Sequence, residues 1–321
     1  MVERQFGKVT PGTGILKVGV TLIVLVFLNS FRTAAQEDLM AELSRSIPKE
    51  REFVHATFKG TRLINLQTVE TLGRRTLEFR IAHRFGDFSS GGQNFWGLDG
   101  PATIQFHFDY GVTDRFTVGI GRASYNKTFD AFAKYNLARQ TNDNSMPMTI
   151  TILGSMNIVS GLDPNKDVTG VDEYRDFGNR VAYLAQLNVA RKFNSKLSVQ
   201  LAPLFIHYNL AYRIGYQNDV VALGLSGRYK ISGHAALTGE YIYRLNKYSS
   251  NFDFYHDALS LGFDLETGGH VFQVFFTNSV AINETAVIPF TESKWSKGQI
   301  RLGFNISRVF GLRNHSKPSQ P

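Results

Sequence analysis

The 321-residue chain has no cysteine, so it can carry neither a disulfide framework nor a thiolate metal site. It also lacks the run of about 20 apolar residues that a membrane-spanning helix needs. Its longest apolar run, Val18 to Leu28, has eleven. No basic cluster is interleaved with aromatics. The net charge is +8, and residues 1–35 hold Arg4, Lys8, Lys17 and Arg32 against Glu3, which leaves +5 for the rest. That is too little and too scattered for a nucleic-acid surface. Tryptophan is scarce, at 2 residues against 26 Phe and 13 Tyr. An aromatic, cysteine-free chain with no apolar helix enters a membrane, if it does so, as strands.

The stretch Ile104 to Tyr110 alternates without a break. Ile104, Phe106, Phe108 and Tyr110 share one face, and Gln105, His107 and Asp109 share the other. Gly111 to Arg115 turns the chain, and Phe116, Val118 and Ile120 resume the apolar face opposite small residues. Strands of this kind recur from Thr76: after these two come 129–137, 148–159, 181–190 and 197–208. They continue at 220–231, 235–245, 258–266, 271–278 and 300–309. The total is twelve. The links alternate long and short from residue 160 onward, as in barrels with long outer loops and short periplasmic turns. The expected fold is therefore all-β: an antiparallel up-and-down transmembrane β-barrel of about twelve strands. Residues 160–178, 246–255 and 280–297 are expected to face outside, and Ser195 and Gly233 to lie in periplasmic turns. Phe106, Phe108, Val199, Leu223, Leu261 and Phe304 should point to lipid. Gln105 and Asn305, on the other face, should tolerate a charge.

Basic residues, a short apolar run and Thr33-Ala34-Ala35 read as a secretory signal peptide over residues 1–35. Residues 36–75 are read as a periplasmic N-terminal segment, with helical spacing of Leu39, Leu43 and Ile47 before Pro48. The barrel spans 76–310, and a polar tail follows at 311–321. Within the N-terminal segment, 57–66 looks strand-like. A thirteenth strand there would put the long loops on the wrong side. Residues 53–72, apolar but carrying Lys59 and Arg62, are expected to sit in the barrel's interior or at its periplasmic mouth. There the two cations would pair with Glu78, Asp109 or Glu240; an irregular extra wall strand is the alternative.

Several stretches carry a resemblance: Thr57-Phe58-Lys59, Thr61 to Asn65, Ala82-His83-Arg84-Phe85-Gly86, Gly97-Leu98-Asp99-Gly100, Asp109 to Asp114, Gly119 to Arg122, and Lys134-Tyr135. With these, residues 53–140 resemble a family of Gram-negative outer-membrane β-barrel proteins classed as a domain of unknown function. The resemblance implies the barrel fold and an outer-membrane location, and no known ligand. The chain departs from the general barrel pattern at its end, where Phe310 is followed by eleven further residues.

The lumen-lining candidates are Lys59, Arg62, Glu78, Arg80, His107, Asp109, Lys134, Arg228, Glu240 and Arg301. Charges at this density can pair across a narrow barrel or sort solutes by charge. His107 with Asp109 is too few ligands for a metal. His207 falls on the apolar face near an interface. Neither a Gly-x-Ser-x-Gly elbow nor a Ser/His pair points to an enzyme, so no catalytic, metal or cofactor residues are assigned. The expected partners are the lipid bilayer, the outer-membrane insertion machinery and small polar solutes, with a monomer favoured. The leading function is a narrow channel or binding barrel for small polar solutes. The alternative is a structural barrel with a filled lumen, serving as an anchor or subunit of an envelope complex. An outer-membrane lipid-modifying enzyme comes third.

Overall fold

The structure is a computed structural model that describes residues 52–163, 166, 174–211, 217–246 and 254–312. The expected signal peptide, the helical stretch after it and most of the C-terminal tail lie outside these residues. So does much of 160–178 and 246–255.

Twelve strands form the wall: β1 (Thr76–Arg84), β2 (Thr103–Thr113), β3 (Phe116–Ala123), β4 (Thr128–Ala138), β5 (Thr149–Val159) and β6 (Val181–Lys192). They continue with β7 (Leu197–Tyr208), β8 (Asp219–Lys230), β9 (Ala235–Arg244), β10 (Ala258–Thr267), β11 (His270–Thr277) and β12 (Arg301–Gly311). Each pairs antiparallel with its sequence neighbours, and β1 closes on β12 with Ile81 opposite Ile306. Closure removes both sheet edges, which hydrocarbon would not tolerate.

The alternation sets the two faces of the wall. Phe106, Phe108, Ile120, Ile152, Leu201, Leu225, Leu261 and Val274 are exposed on the outside. Their neighbours Gln105, His107, Asp109, Gln186, Gln200, Glu240 and Asn305 are buried inside. Outward apolar residues on every side of a closed wall are what lipid requires.

Both ends of the wall's chain lie at one end of the barrel, here the terminal end; the other is the loop end. Two segments enter the lumen, one from each. Residues 52–75 enter from the terminal end, where Phe53 bridges to Thr141. They fold back at a tight tip closed by an Arg62–Gln67 bridge, and return to the terminal end, where Thr71 Oγ1 and Arg74 N donate to Asp114. Phe58, Leu63, Ile64, Leu66 and Val69 are all buried. This segment forms no strand of the wall.

The second inward segment corrects an expectation. Residues 280–297 are not an exposed outer loop throughout. Ala281 to Phe290 fold into the lumen around a single helical turn, α1 (Glu284–Val287), whose four residues are all buried. Their apolar side chains need a partner, and the wall supplies one. Leu184, Leu204, Ile206, Val220, Ala222 and Ile242 face inward and form a single core with Leu66, Val287, Ile288 and Phe290. The inward face is thus apolar on β6 to β9 near the loop end, and not polar throughout. Burying an apolar side chain is worth about 1.5–3 kcal/mol, which offsets the entropy of ordering the loop.

Inward glycines make the room. A Cβ on Gly224 would lie 2.4 Å from Leu66 Cδ1, and one on Gly121 would lie 2.2 Å from His107 Cδ2. The small face of β3 therefore accommodates side chains of β2 and β4.

Candidate functional site

The lumen is the site, and the tip of the inward N-terminal segment is its centre. Successive residues there turn their backbone N–H groups towards Glu240 on β9. Asn65 N and Leu66 N donate to its carboxylate at 3.1 and 3.0 Å, and Asn65 Nδ2 donates at 2.8 Å. Three donors on one buried carboxylate satisfy most of its acceptor capacity. Asn305 Nδ2 donates to Ile64 O and to Gln273 Oε1. Arg84 donates to Asn65 Oδ1 and Asn305 Oδ1 while its guanidinium stacks 4.3 Å from the Phe275 ring. Lys134 Nζ donates to Gln67 Oε1 at 2.9 Å and to the carbonyls of Thr61 and Thr68. Gln186 and Gln200 donate to Gln67 O. The unpaired backbone of the segment is thereby satisfied by wall side chains, as burial demands.

Arg62 forms an ion pair with Glu284 of α1, with side chains 3% and 8% exposed. The two inward segments meet at this pair. Arg62 Nη1 also donates to Asn65 O, which stiffens the tip.

A second cluster sits on β2 and β4. His107 Nδ1 lies 2.5 Å from Asp109 Oδ1, and its Nε2 lies 2.6 Å from Asp130 Oδ2. Gln105 Nε2 donates to the other oxygen of Asp130. Both ring nitrogens are engaged by carboxylates, which leaves neither free for a metal or for activating a nucleophile.

The other candidates sit as follows. Glu78 is buried and accepts from Thr61 Oγ1. Arg80 is 3% exposed, and its Nε and Nη2 have no hydrogen-bond partner among the described residues. Arg228 pairs with Glu266 and lies 3.8 Å from Asp264. Arg301 reaches Asp87 at 3.5 Å at the loop end. The expected pairings of Lys59 and Arg62 are corrected. Lys59 pairs with Glu266 at 3.2 Å, with its side chain 44% exposed, and Arg62 pairs with Glu284. Glu78, Asp109 and Glu240 are already engaged by Thr61, His107 and the tip backbone. Gln105 and Asn305, expected to tolerate charge, are buried and hydrogen-bonded on the packed side.

Outside the strands, at the terminal end, burial raises the Glu70 carboxyl above its ordinary value, although Phe58 N–H donates to it.

The residues that sequence reasoning missed are Glu284, Asn65, Gln67, Asp130, Gln186 and Gln200. The wall members among them obey the inward alternation and could have been found by it. Glu284 lies in what reads as an outer loop, and only the apolar run Ala286-Val287-Ile288 beside it hinted at burial.

A closed, outwardly apolar barrel around a filled lumen defines a membrane-spanning β-barrel protein. Residues 58–310 match the family described as membrane bound beta barrel domain (DUF5777), and the chain belongs to that family. With its lipid-facing wall, this places it in the outer membrane. No curated protein matches it. Among solved structures, a KdgM porin aligns at 11% identity and TM-score 0.44, over 73% of this chain and 99% of its own. The COG4313 outer membrane channel from Pseudomonas putida F1 aligns at 17% and 0.42, over 75% and 98%. Outer membrane phospholipase A from Escherichia coli aligns at 10% and 0.40, over 72% and 92%.

Proposed function

We propose that the protein is a channel-like barrel for small polar solutes, closed in this state by residues 52–75 from the terminal end and by 280–291 from the loop end. The observation that carries this reading is the Arg62–Glu284 pair. It joins two chain segments that belong to neither each other nor the wall. A lumen meant only to be filled is served as well by apolar side chains, since a buried pair is poor value for stability alone. Polar wall residues behind the segments would line a hydrated path once they part. The catalytic reading is weaker, because His107 spends both ring nitrogens on carboxylates.

Removing residues 53–68 and recording single-channel conductance in planar bilayers tests the proposal. A heat-modifiable barrel whose conductance rises above that of the full chain supports it. A folded, deleted barrel that conducts no better than the full chain overturns it. A chain that fails to fold assigns the segment a structural role. That outcome favours the second reading, a filled barrel acting as an anchor or subunit of an envelope complex. The three donors that Glu240 draws from the tip favour that reading too, because they pin the segment firmly.

A further inference from the structure

Phe95 and Trp96, in the loop between β1 and β2, stand at φ 45° and 50°. That is the left-handed region, which bulky side chains rarely adopt. Two such residues in succession persist only where neighbouring structure holds them. Here Trp96 N donates to Gly91 O at 2.9 Å, and Leu98 N donates to Phe95 O at 3.1 Å. At the base of the loop Gly86 N donates to Gly97 O at 2.9 Å, and a Cβ on Gly97 would lie 2.5 Å from Gly86 O. Gly97 itself sits at φ 87°, which suits glycine alone. Both glycines belong to stretches that carry the family resemblance.

The strained turn leaves its rings uncovered. Phe88, Phe95 and Trp96 are 43%, 55% and 49% exposed. The Trp96 ring lies 6.4 Å from that of Phe88 and 6.0 Å from that of Phe95, between centroids. An exposed aromatic cluster of this kind marks an interaction surface.

Its position indicates the partner. The seam of β1 and β12 carries an aromatic column on its lipid-facing side. His83 stacks on Phe304 at 5.0 Å, and the Phe85 ring lies 4.4 Å from His83 and 6.1 Å from Phe304. The loop starts from the end of that column. Phe88 N donates to Ile300 O, just before β12, and Asp87 pairs with Arg301 at 3.5 Å, so the loop stays fastened to the same seam. The chain's other tryptophan, Trp295, lies in the connection leading into β12, where its Nε1 donates to Leu259 O at 2.8 Å. Both tryptophans are therefore at the loop end. Tryptophan favours the boundary of water and lipid, where an apolar ring and an N–H are both served. Gln93 and Asn94, exposed beside the rings, suit the wet side of such a boundary.

We propose that this loop is a rigid aromatic foot that rests Phe88, Phe95 and Trp96 in the headgroup layer of the lipid leaflet at the loop end. Its partner is a lipid surface, in continuity with the lipid-facing column below it. Aromatic belts of barrels belong to the strands; here a connection extends one beyond the wall. The inference is independent of the channel reading.

The test uses the full-length barrel in phospholipid vesicles. Trp295→Tyr leaves Trp96 as the sole tryptophan emitter. Phospholipid brominated near the carbonyl end of its chains should remove most of that emission. Lipid brominated near the methyl end should remove little, and aqueous iodide should quench less than it quenches free tryptophan. Should Trp295→Tyr fail to fold, the difference between the parent chain and Trp96→Phe isolates the same signal. Gly97→Ala, which forces the base of the loop apart, should weaken the lipid quenching while the barrel stays heat-modifiable; unchanged quenching would refute the rigid turn. Quenching by iodide as complete as for free tryptophan, with none from brominated lipid, puts the rings in water and overturns the proposal. Strongest quenching by the methyl-end bromines overturns it by placing the rings in hydrocarbon. Emission shielded from lipid and iodide alike overturns it too, and recovery on diluting the protein in lipid would then identify a second copy as the occupant.

Discussion

Arg62 and Glu284 are 222 residues apart in sequence and form a buried pair inside the barrel. Each comes from a segment that enters through a different end. Removing one partner leaves a buried charge without its counter-ion, at a cost of about 3–5 kcal/mol. Arg62→Ala and Glu284→Ala should each destabilise strongly, and the double variant should lose much less than the two combined. Urea unfolding in vesicles supplies the cycle, and strictly additive losses would contradict the pairing.

Gly224 gives a cleaner handle on the inward segment. Its Cβ position is 2.4 Å from Leu66 Cδ1, while that of Gly227 meets nothing within 4 Å. Gly224→Val should keep the barrel heat-modifiable but expel the tip, so that residues 52–75 become protease-sensitive and conductance rises. Gly227→Val should change neither. Identical proteolysis of the two variants would show that the tip does not depend on that space.

The His107 cluster should behave as a structural unit. His107→Ala leaves Asp109 and Asp130 buried without their common partner, and the expected loss is about 3–5 kcal/mol. His107→Ala combined with Asp109→Asn should recover part of it. Equal stability of the single variant and the parent, by urea unfolding, would rule out the network as drawn.

Lipid exposure is testable by depth. Phe304, stacked on His83 at 5.0 Å, sits within β12, whereas Val112 lies near the terminal end of β2. Phe304→Lys should cost about 2–4 kcal/mol and Val112→Lys about 0–1. Similar losses at both positions would mean that the outer face is not in hydrocarbon.

The absence of cysteine makes topology easy to read. Gln93→Cys, in the loop after β1, should label in intact cells with an impermeant thiol reagent. Ser195→Cys, in the turn between β6 and β7, should label only after lysis. The opposite pattern would turn the barrel over.

The wall was legible because lipid and lumen impose opposite demands on alternate residues. Phe106, His107 and Phe108 carry that period plainly, and so do Phe304, Asn305 and Ile306. The interior was less legible, for a physical reason. Where the inward loop packs, the inner face of the wall is apolar too. The stretch Val220-Val221-Ala222-Leu223 then loses its contrast, although alternate residues still point opposite ways. Partners inside the lumen were beyond reach for Arg62. Its counter-ion lies on a loop whose inward course depends on side chains from four different strands.

The tip's hydrogen bonds also constrain how the molecule can assemble. Asn65 is 175 residues from Glu240, and Ile64 is 241 residues from Asn305. Contacts of such separation form late and slow folding. The segment emerges from synthesis before any strand of the wall, yet its acceptors and donors exist only when the last strands have been laid down. Asn305 lies on β12, the strand that zips against β1 to seal the cylinder. A tip bound to both flanks of that seam would act as a template for the final closure, so its loss should slow the formation of the barrel more than it weakens the finished one.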